Sequence, residues 1–371
     1  MIDCVTCHSR ESGNPKYWRP GFRIKCGMTT YLIELDGLLD VILDITLVIL
    51  LVANILLFAI KGNIPILSDN PSEARVLLYT GGFGIVRRIN FTLLTVAIAI
   101  ILLKLFHPCI KVKKRKKFLL YLKLFIVFLI VFSNASRAAL LLFLTVSFYV
   151  MMINRLAKNH AFIKQINKFA ITFFCLAVAY MFLVVYLSYN NSSSLQPIIT
   201  RFVSAGDVFY FFYVYDILDS FRYNFFDFVY RSLNPLLGML RIVNYEQPIG
   251  SLVLFYSIGL EPMGFGPNSQ HHLEGLLFFG KYFFWLYSFA VGYIIAFTRT
   301  GLLLRLKKNP HQLNLLFYII FSSMILSIAT ESSLFLLEFY DALIFLTPVI
   351  ITSLIVSDAV KNRDERKFLA Q

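Results

Sequence analysis

Charged residues are scarce in this chain. Aspartate, glutamate, lysine and arginine make up 15% of its 371 residues, where about 25% is usual in a soluble domain. Apolar residues reach 58% against roughly 45–50%, and the mean hydropathy is +0.71. A soluble globular domain and a disordered tail are both excluded. Acid is the scarcer sign, 21 residues against 35 basic, which leaves a net charge of +14. Cysteine is also sparse, and three of the five precede residue 27, so no disulfide framework is implied. No Walker A loop, zincin helix or Gly-x-Ser-x-Gly elbow is present. No DxD-like carboxylate pair offers a metal site for a nucleotide sugar, so no cofactor or metal is expected. Energy for any reaction must then come from the substrate's own bond. Internal repeats and paired broken helices, the pointers to many transporters, are missing too.

Long apolar runs are what the chain has in quantity. Eight stand out, at 38–60, 90–106, 118–134, 138–153, 169–188, 276–298, 313–329 and 334–357. Such runs match a hydrocarbon core of roughly 30 Å, where every backbone group needs an internal partner, so they predict helices. The expected fold class is an all-α polytopic membrane protein of about eight transmembrane helices, a single domain over 28–371. Orientation follows from the basic loops. The segment 107–117, with Lys111, Lys113, Lys114, Arg115, Lys116 and Lys117, is placed in the cytoplasm. Alternation puts 154–168, 299–312 and the tail 358–371 on the same side, and all three are basic. Both termini are then cytoplasmic, and one large loop, 189–275, faces the other compartment.

Splitting the bases by side changes the meaning of the net charge. Lysine lies inward by 15 to two, whereas arginine divides nine to eight. Lys123 stands apart, inside the third helix, where its stem can snorkel. The pattern removes the case for nucleic acid as partner. A guanidinium offers a planar fork suited to bidentate phosphate binding and keeps its proton, so the outward arginines suit a phosphate or pyrophosphate headgroup beside the lipid bilayer. Local ion pairing competes with that reading. Asp219 and Arg222 are three apart, Asp227 and Arg231 are four apart with the acid first, and Glu73 neighbours Arg75. Arg137, Arg201 and Arg241 have no acid at helical spacing and are the better ligand candidates.

Three outward segments carry further chemistry. Lys61-Gly62-Asn63-Ile64-Pro65-Ile66-Leu67-Ser68, with Arg75 beyond it, breaks a helix through Gly and Pro. Ser136-Arg137 forms a tight hairpin where a membrane-depth arginine needs a partner or water. The long loop is dense in aromatics from Phe209 to Tyr230, which predicts helices lying in the interface. It ends in Gly264-Phe265-Gly266-Pro267-Asn268-Ser269-Gln270-His271-His272-Leu273-Glu274-Gly275. His271, His272 and Glu274 can move protons there, although an isolated histidine pair is more often simply solvated. Glu338 and Asp341 near the outer end of the last span can pair with outward arginines or orient substrate. Asp40 and Asp44 lie inward, away from this chemistry.

The N-terminal Cys4-Val5-Thr6-Cys7-His8 fits a haem-attachment pattern, but topology puts it in the wrong compartment, and a zinc site lacks further ligands. The stretch from Cys7 through Thr29 resembles the translation of a dispersed bacterial palindromic repeat. Residues 1–27 are therefore expected to be a non-structural, repeat-derived segment, with Met28 nearer the functional start.

Gly62-Asn63-Ile64-Pro65-Ile66-Leu67 with Arg75, Ser136-Arg137, and above all Gly266-Pro267-Asn268-Ser269 running into Glu274-Gly275-Leu276-Leu277-Phe278-Phe279-Gly280 resemble the Wzy-type O-antigen polymerases. The resemblance covers roughly 38–357, and Gly-Pro-Asn before a Glu-Gly-led helix is its most specific part. It implies a GT-C-like bundle in the bacterial inner membrane with a periplasmic active site. It further implies a metal-independent glycosyltransferase acting on undecaprenyl-pyrophosphate-linked oligosaccharides, with a chain-length regulator as a protein partner. Arg75, Arg137, Arg201, Arg222, Arg241 and Asn268 would bind substrate, and His271, His272 or Glu274 would accept the proton of the attacking hydroxyl. Members usually carry more helices before the Gly-x-Ile-Pro segment, which points to an altered N-terminus here. The related O-antigen ligases are the nearest alternative, but a His-Asn loop is typical of them where this chain has Gly-Pro-Asn. A lipid-linked oligosaccharide flippase would want its bases within the spans rather than in outer loops.

Overall fold

The structure is a computed structural model that describes residues 28–80, 83–107, 114–156, 160–188, 207–221, 223–259, 268–309 and 311–369. The expectations for 1–27 lie outside the described residues. Every regular element among the described residues is helical. The first six are α1 (Met28–Lys61), α2 (Pro71–Leu78), α3 (Gly84–Phe106), α4 (Lys114–Ser133), α5 (Arg137–Leu156) and α6 (His160–Ser188). Three short helices follow, α7 (Asp207–Val214), α8 (Phe225–Met239) and α9 (Ile249–Ile258). The chain closes with α10 (His271–Lys308), α11 (Gln312–Met324), α12 (Ser332–Asp341) and α13 (Thr347–Leu369).

Among the described residues, seven helices are long and apolar enough to cross a membrane. They fall in α1, α3, α5, α6, α10, α11 with the turn after it, and α12 joined to α13. The expected segment at 118–134 is formed as α4, whose lysines at 114, 116, 117 and 123 set it apart from those seven. At the centre stands α3, buried on every side from Thr92 to Phe106. A helix that is apolar all round belongs inside a bundle, and α1, α4, α5 and α11 pack about it. Near its lysine-rich end, Asp40 of α1 takes Lys104 of α3 at 2.7 Å and Lys116 at 3.5 Å. Lys123, expected to snorkel, instead reaches Asp44 on α1. Pairing opposite charges costs less than carrying two lone ones at such depth.

The connection 189–275 is far from a plain loop. Its aromatic stretch, expected to lie flat in the interface, builds a second core in which Phe212 and Phe221 pack with Val253, Leu273, Leu277 and Phe278. Tyr210, Tyr213, Phe225 and Phe226 stay exposed. Short helices with apolar faces can bury one another before lipid is needed.

The start expected at 276 for the sixth span is corrected by a break inside α10. Gly280 has φ 74° and ψ 179°, a region essentially restricted to glycine. Segment 271–279 there folds back on the long segment 281–308. The Tyr287 hydroxyl donates to Glu274 at 2.9 Å, although residues 13 apart in a straight helix stand about 20 Å apart. A Cβ on Gly275 would lie 2.8 Å from the Phe284 carbonyl oxygen. Segment 271–279 thus joins the second core, and the remaining 281–308 spans about 40 Å at the helical rise.

Candidate functional site

The folded-back segment begins with backbone strain. Gln270, a residue with a Cβ, is held at φ 64°, where its N–H donates to the Thr330 carbonyl at 2.7 Å. Strain of this kind persists only where its surroundings over-determine it, and it clusters at functional sites. The two histidines follow at once. His271 Nδ1 lies 2.9 Å from the Ala329 carbonyl oxygen. A carbonyl only accepts, so Nδ1 carries the proton and Nε2 is the acceptor nitrogen. His272 stacks on Phe209, with centroids 4.5 Å apart. Glu274 is enclosed, at 1% exposure. It accepts from the Ser269 hydroxyl at 3.0 Å, the Tyr287 hydroxyl at 2.9 Å and the Ser332 N–H at 3.1 Å. That set pins the segment to the start of α12.

Helix α12 runs from this centre to a second one. At its far end Asp341 accepts from Arg88 Nε at 2.6 Å. Arg88 Nη1 donates to the Tyr245 hydroxyl at 2.9 Å and to the Pro235 carbonyl at 3.2 Å. Ser332 and Asp341 bracket the helix, so the two centres stand about 14 Å apart along it. Between them Arg231 of α8 donates to Glu246 at 3.1 Å, to the Tyr223 hydroxyl at 2.8 Å and to the Gln247 carbonyl at 3.0 Å. The expected Asp227–Arg231 helical pair is therefore corrected. Asp227 instead accepts from the Asn224 N–H at 2.8 Å and closes a capping box, since an acid at that position finds an unmet backbone donor in reach. Glu331 takes the Ser333 hydroxyl at 2.6 Å. Burial pushes its carboxyl above the usual range, against the pull of Ser333 and of the Arg231 charge.

A buried amide cluster ties the same end of the bundle together. Asn54 of α1 exchanges hydrogen bonds with Asn90 of α3 at 2.9 and 3.1 Å. Asn134 donates to Asn54 at 2.8 Å and accepts from the Tyr79 hydroxyl at 2.9 Å. Sequence reasoning missed this cluster and Arg88. The signal for the first was an asparagine in each of three apolar runs, Asn54, Asn90 and Asn134. For Arg88 it was an arginine two residues ahead of an expected span, facing the Asp341 already marked as needing a partner.

The expected site residues divide into three groups. His271, His272 and Glu274 are brought together. Arg75 is half-buried on α2, while Arg241, at φ 58°, and Asn268 are exposed. Arg201, Arg222 and the Arg137 side chain lie outside the described residues, although Arg137 opens α5. Among the described residues no cluster of three or more His, Cys, Asp or Glu could hold a metal ion. No family model, no curated protein and no solved structure matches the chain.

Proposed function

We propose that this protein polymerises undecaprenyl-pyrophosphate-linked oligosaccharide repeat units into O-antigen or a related surface polysaccharide. It would work at the periplasmic face of the bacterial inner membrane, as a metal-independent, Wzy-type glycosyltransferase of about eight spans. The observation that carries this reading is His271, whose Nδ1 is committed to Ala329 and whose Nε2 is thereby left as the ring's accepting nitrogen beside a strained turn. In the reaction a sugar hydroxyl of the acceptor attacks the anomeric carbon of the donor glycan. Its proton passes to His271 Nε2, the anomeric carbon–oxygen bond breaks, and undecaprenyl pyrophosphate leaves with the bonding pair. Outward arginines stabilise the departing charge. Glu274, enclosed and fully engaged, fastens the segment rather than serving as the base.

The test is His271→Gln, with surface glycan run on a gel. A positioned general base contributes roughly 10²–10⁴-fold, so long chains should vanish while single-repeat product remains. An unchanged ladder overturns the assignment. Loss of even the single repeat points to ligation instead.

A further inference from the structure

Arg88 has five N–H donors, and three have partners, at Asp341, Tyr245 and Pro235. Nη2, itself buried, meets no acceptor among the described residues, although the whole side chain is only 9% exposed. A buried charged donor left unmet is costly, and here the unmet group lies on the end-on edge of the guanidinium that Nη1 shares. That is the edge suited to two oxygens of one oxyanion. Asp341 holds Nε and so sets the plane of the fork. Tyr245 is one of the two acceptors on Nη1, the Pro235 carbonyl being the other. Its hydroxyl lies on Nη1, its residue is 55% exposed, and it belongs to the irregular segment after α8 that turns at Arg241. The ring rests on Gly238, where a Cβ would lie 2.8 Å from it. Further cations gather at the same corner. Arg87 is next in sequence, and both Arg87 and Arg75 act electrostatically on Tyr79. Lys61 donates to the Thr80 carbonyl at 3.0 Å. The opposing acids are Asp341 and Glu338 on α12, and Glu338 is occupied by the Ser327 hydroxyl at 2.9 Å.

We infer that Arg88 and Tyr245 form a phosphate-oxyanion site, distinct from the His271 centre, in which Tyr245 exchanges roles. In the free protein its hydroxyl accepts from Nη1. With ligand bound, the phosphate oxygens take Nη1 and Nη2, the 240–248 segment shifts, and the hydroxyl donates to the phosphate. The same chemistry serves a phosphate carried on a polyprenyl lipid and one free in solution, and only its place in the proposed polymerisation rests on that reading.

The test is titration of the purified full chain in nanodiscs with inorganic pyrophosphate and, separately, with farnesyl pyrophosphate, followed by calorimetry. Saturable binding to wild type should weaken about tenfold or more in Arg88→Lys, which loses the fork, and severalfold in Tyr245→Phe, which keeps the ring on Gly238. Thermal melts without ligand check that both variants fold, and Tyr245→Phe decides the matter if Arg88→Lys does not. Tighter binding of farnesyl pyrophosphate supports a lipid-borne ligand, and equal binding supports a free one. No binding to wild type, or equal binding by wild type and Tyr245→Phe, overturns the site. Lost binding in the variants alongside an unchanged His271→Gln ladder would instead overturn the polymerase reading and leave the site standing.

Discussion

His271 and Glu274 stand three residues apart and meet opposite surroundings. Both are titratable groups at a helix mouth, and nothing in their spacing ranks one above the other as a base. Burial gives them different contacts, filling every edge of Glu274 while committing one nitrogen of His271. The same principle gives His107 a consequence of its own. It caps the lysine-rich end of α3, donating its N–H to the Leu103 carbonyl at 2.8 Å, and burial lowers its imidazole from 6.5 to about 4. Between those values the unfolded chain takes up a proton that the folded chain refuses, so stability falls as the pH drops through this window. The thermal-unfolding midpoint in detergent should fall on acidification from neutral pH to about 4. The loss amounts to ~3 kcal/mol, and His107→Phe should flatten that slope.

At the scale of elements, the break in α10 decides where the histidines go. An apolar run through Phe279-Gly280-Lys281 reads as one continuous helix, because glycine inside a helix costs only about 1 kcal/mol. The positive φ at Gly280 and the near contact of Gly275 with Phe284 are tertiary facts. Two substitutions should separate these roles. Gly280→Ala forces a Cβ into a region costing about 1–3 kcal/mol and should lower the unfolding midpoint. Gly275→Ala pushes against backbone that cannot swing aside, and should in addition raise the reactivity of a cysteine placed at Ser269, which is buried beside Glu274, by loosening the folded-back segment. Equal cysteine reactivity in both backgrounds would show that the folded-back segment does not rest on Gly275. The aromatic stretch follows the same logic. Its composition suits a membrane surface and a small core equally, and only the partners Val253, Leu273 and Leu277 show that part of it packs into a core.

For the whole molecule, the helical segments and their positions are readable from hydropathy, and each of the eight expected runs contains helix. The orientation drawn from lysine placement is open to direct labelling. In a cysteine-free background, a single cysteine at Asn63 should react with a membrane-impermeant maleimide added outside, and one at Asn309 only after permeabilisation. The reverse pattern would invert the expected topology and with it the side proposed for the site. Long apolar runs settle by themselves that this chain is a helical membrane bundle, because hydrocarbon leaves the backbone no other way to satisfy its hydrogen bonds. Which polar groups meet was left to the tertiary structure. Arg88 and Asp341 are 253 positions apart, and pairing at that separation follows from packed helices rather than from any local spacing.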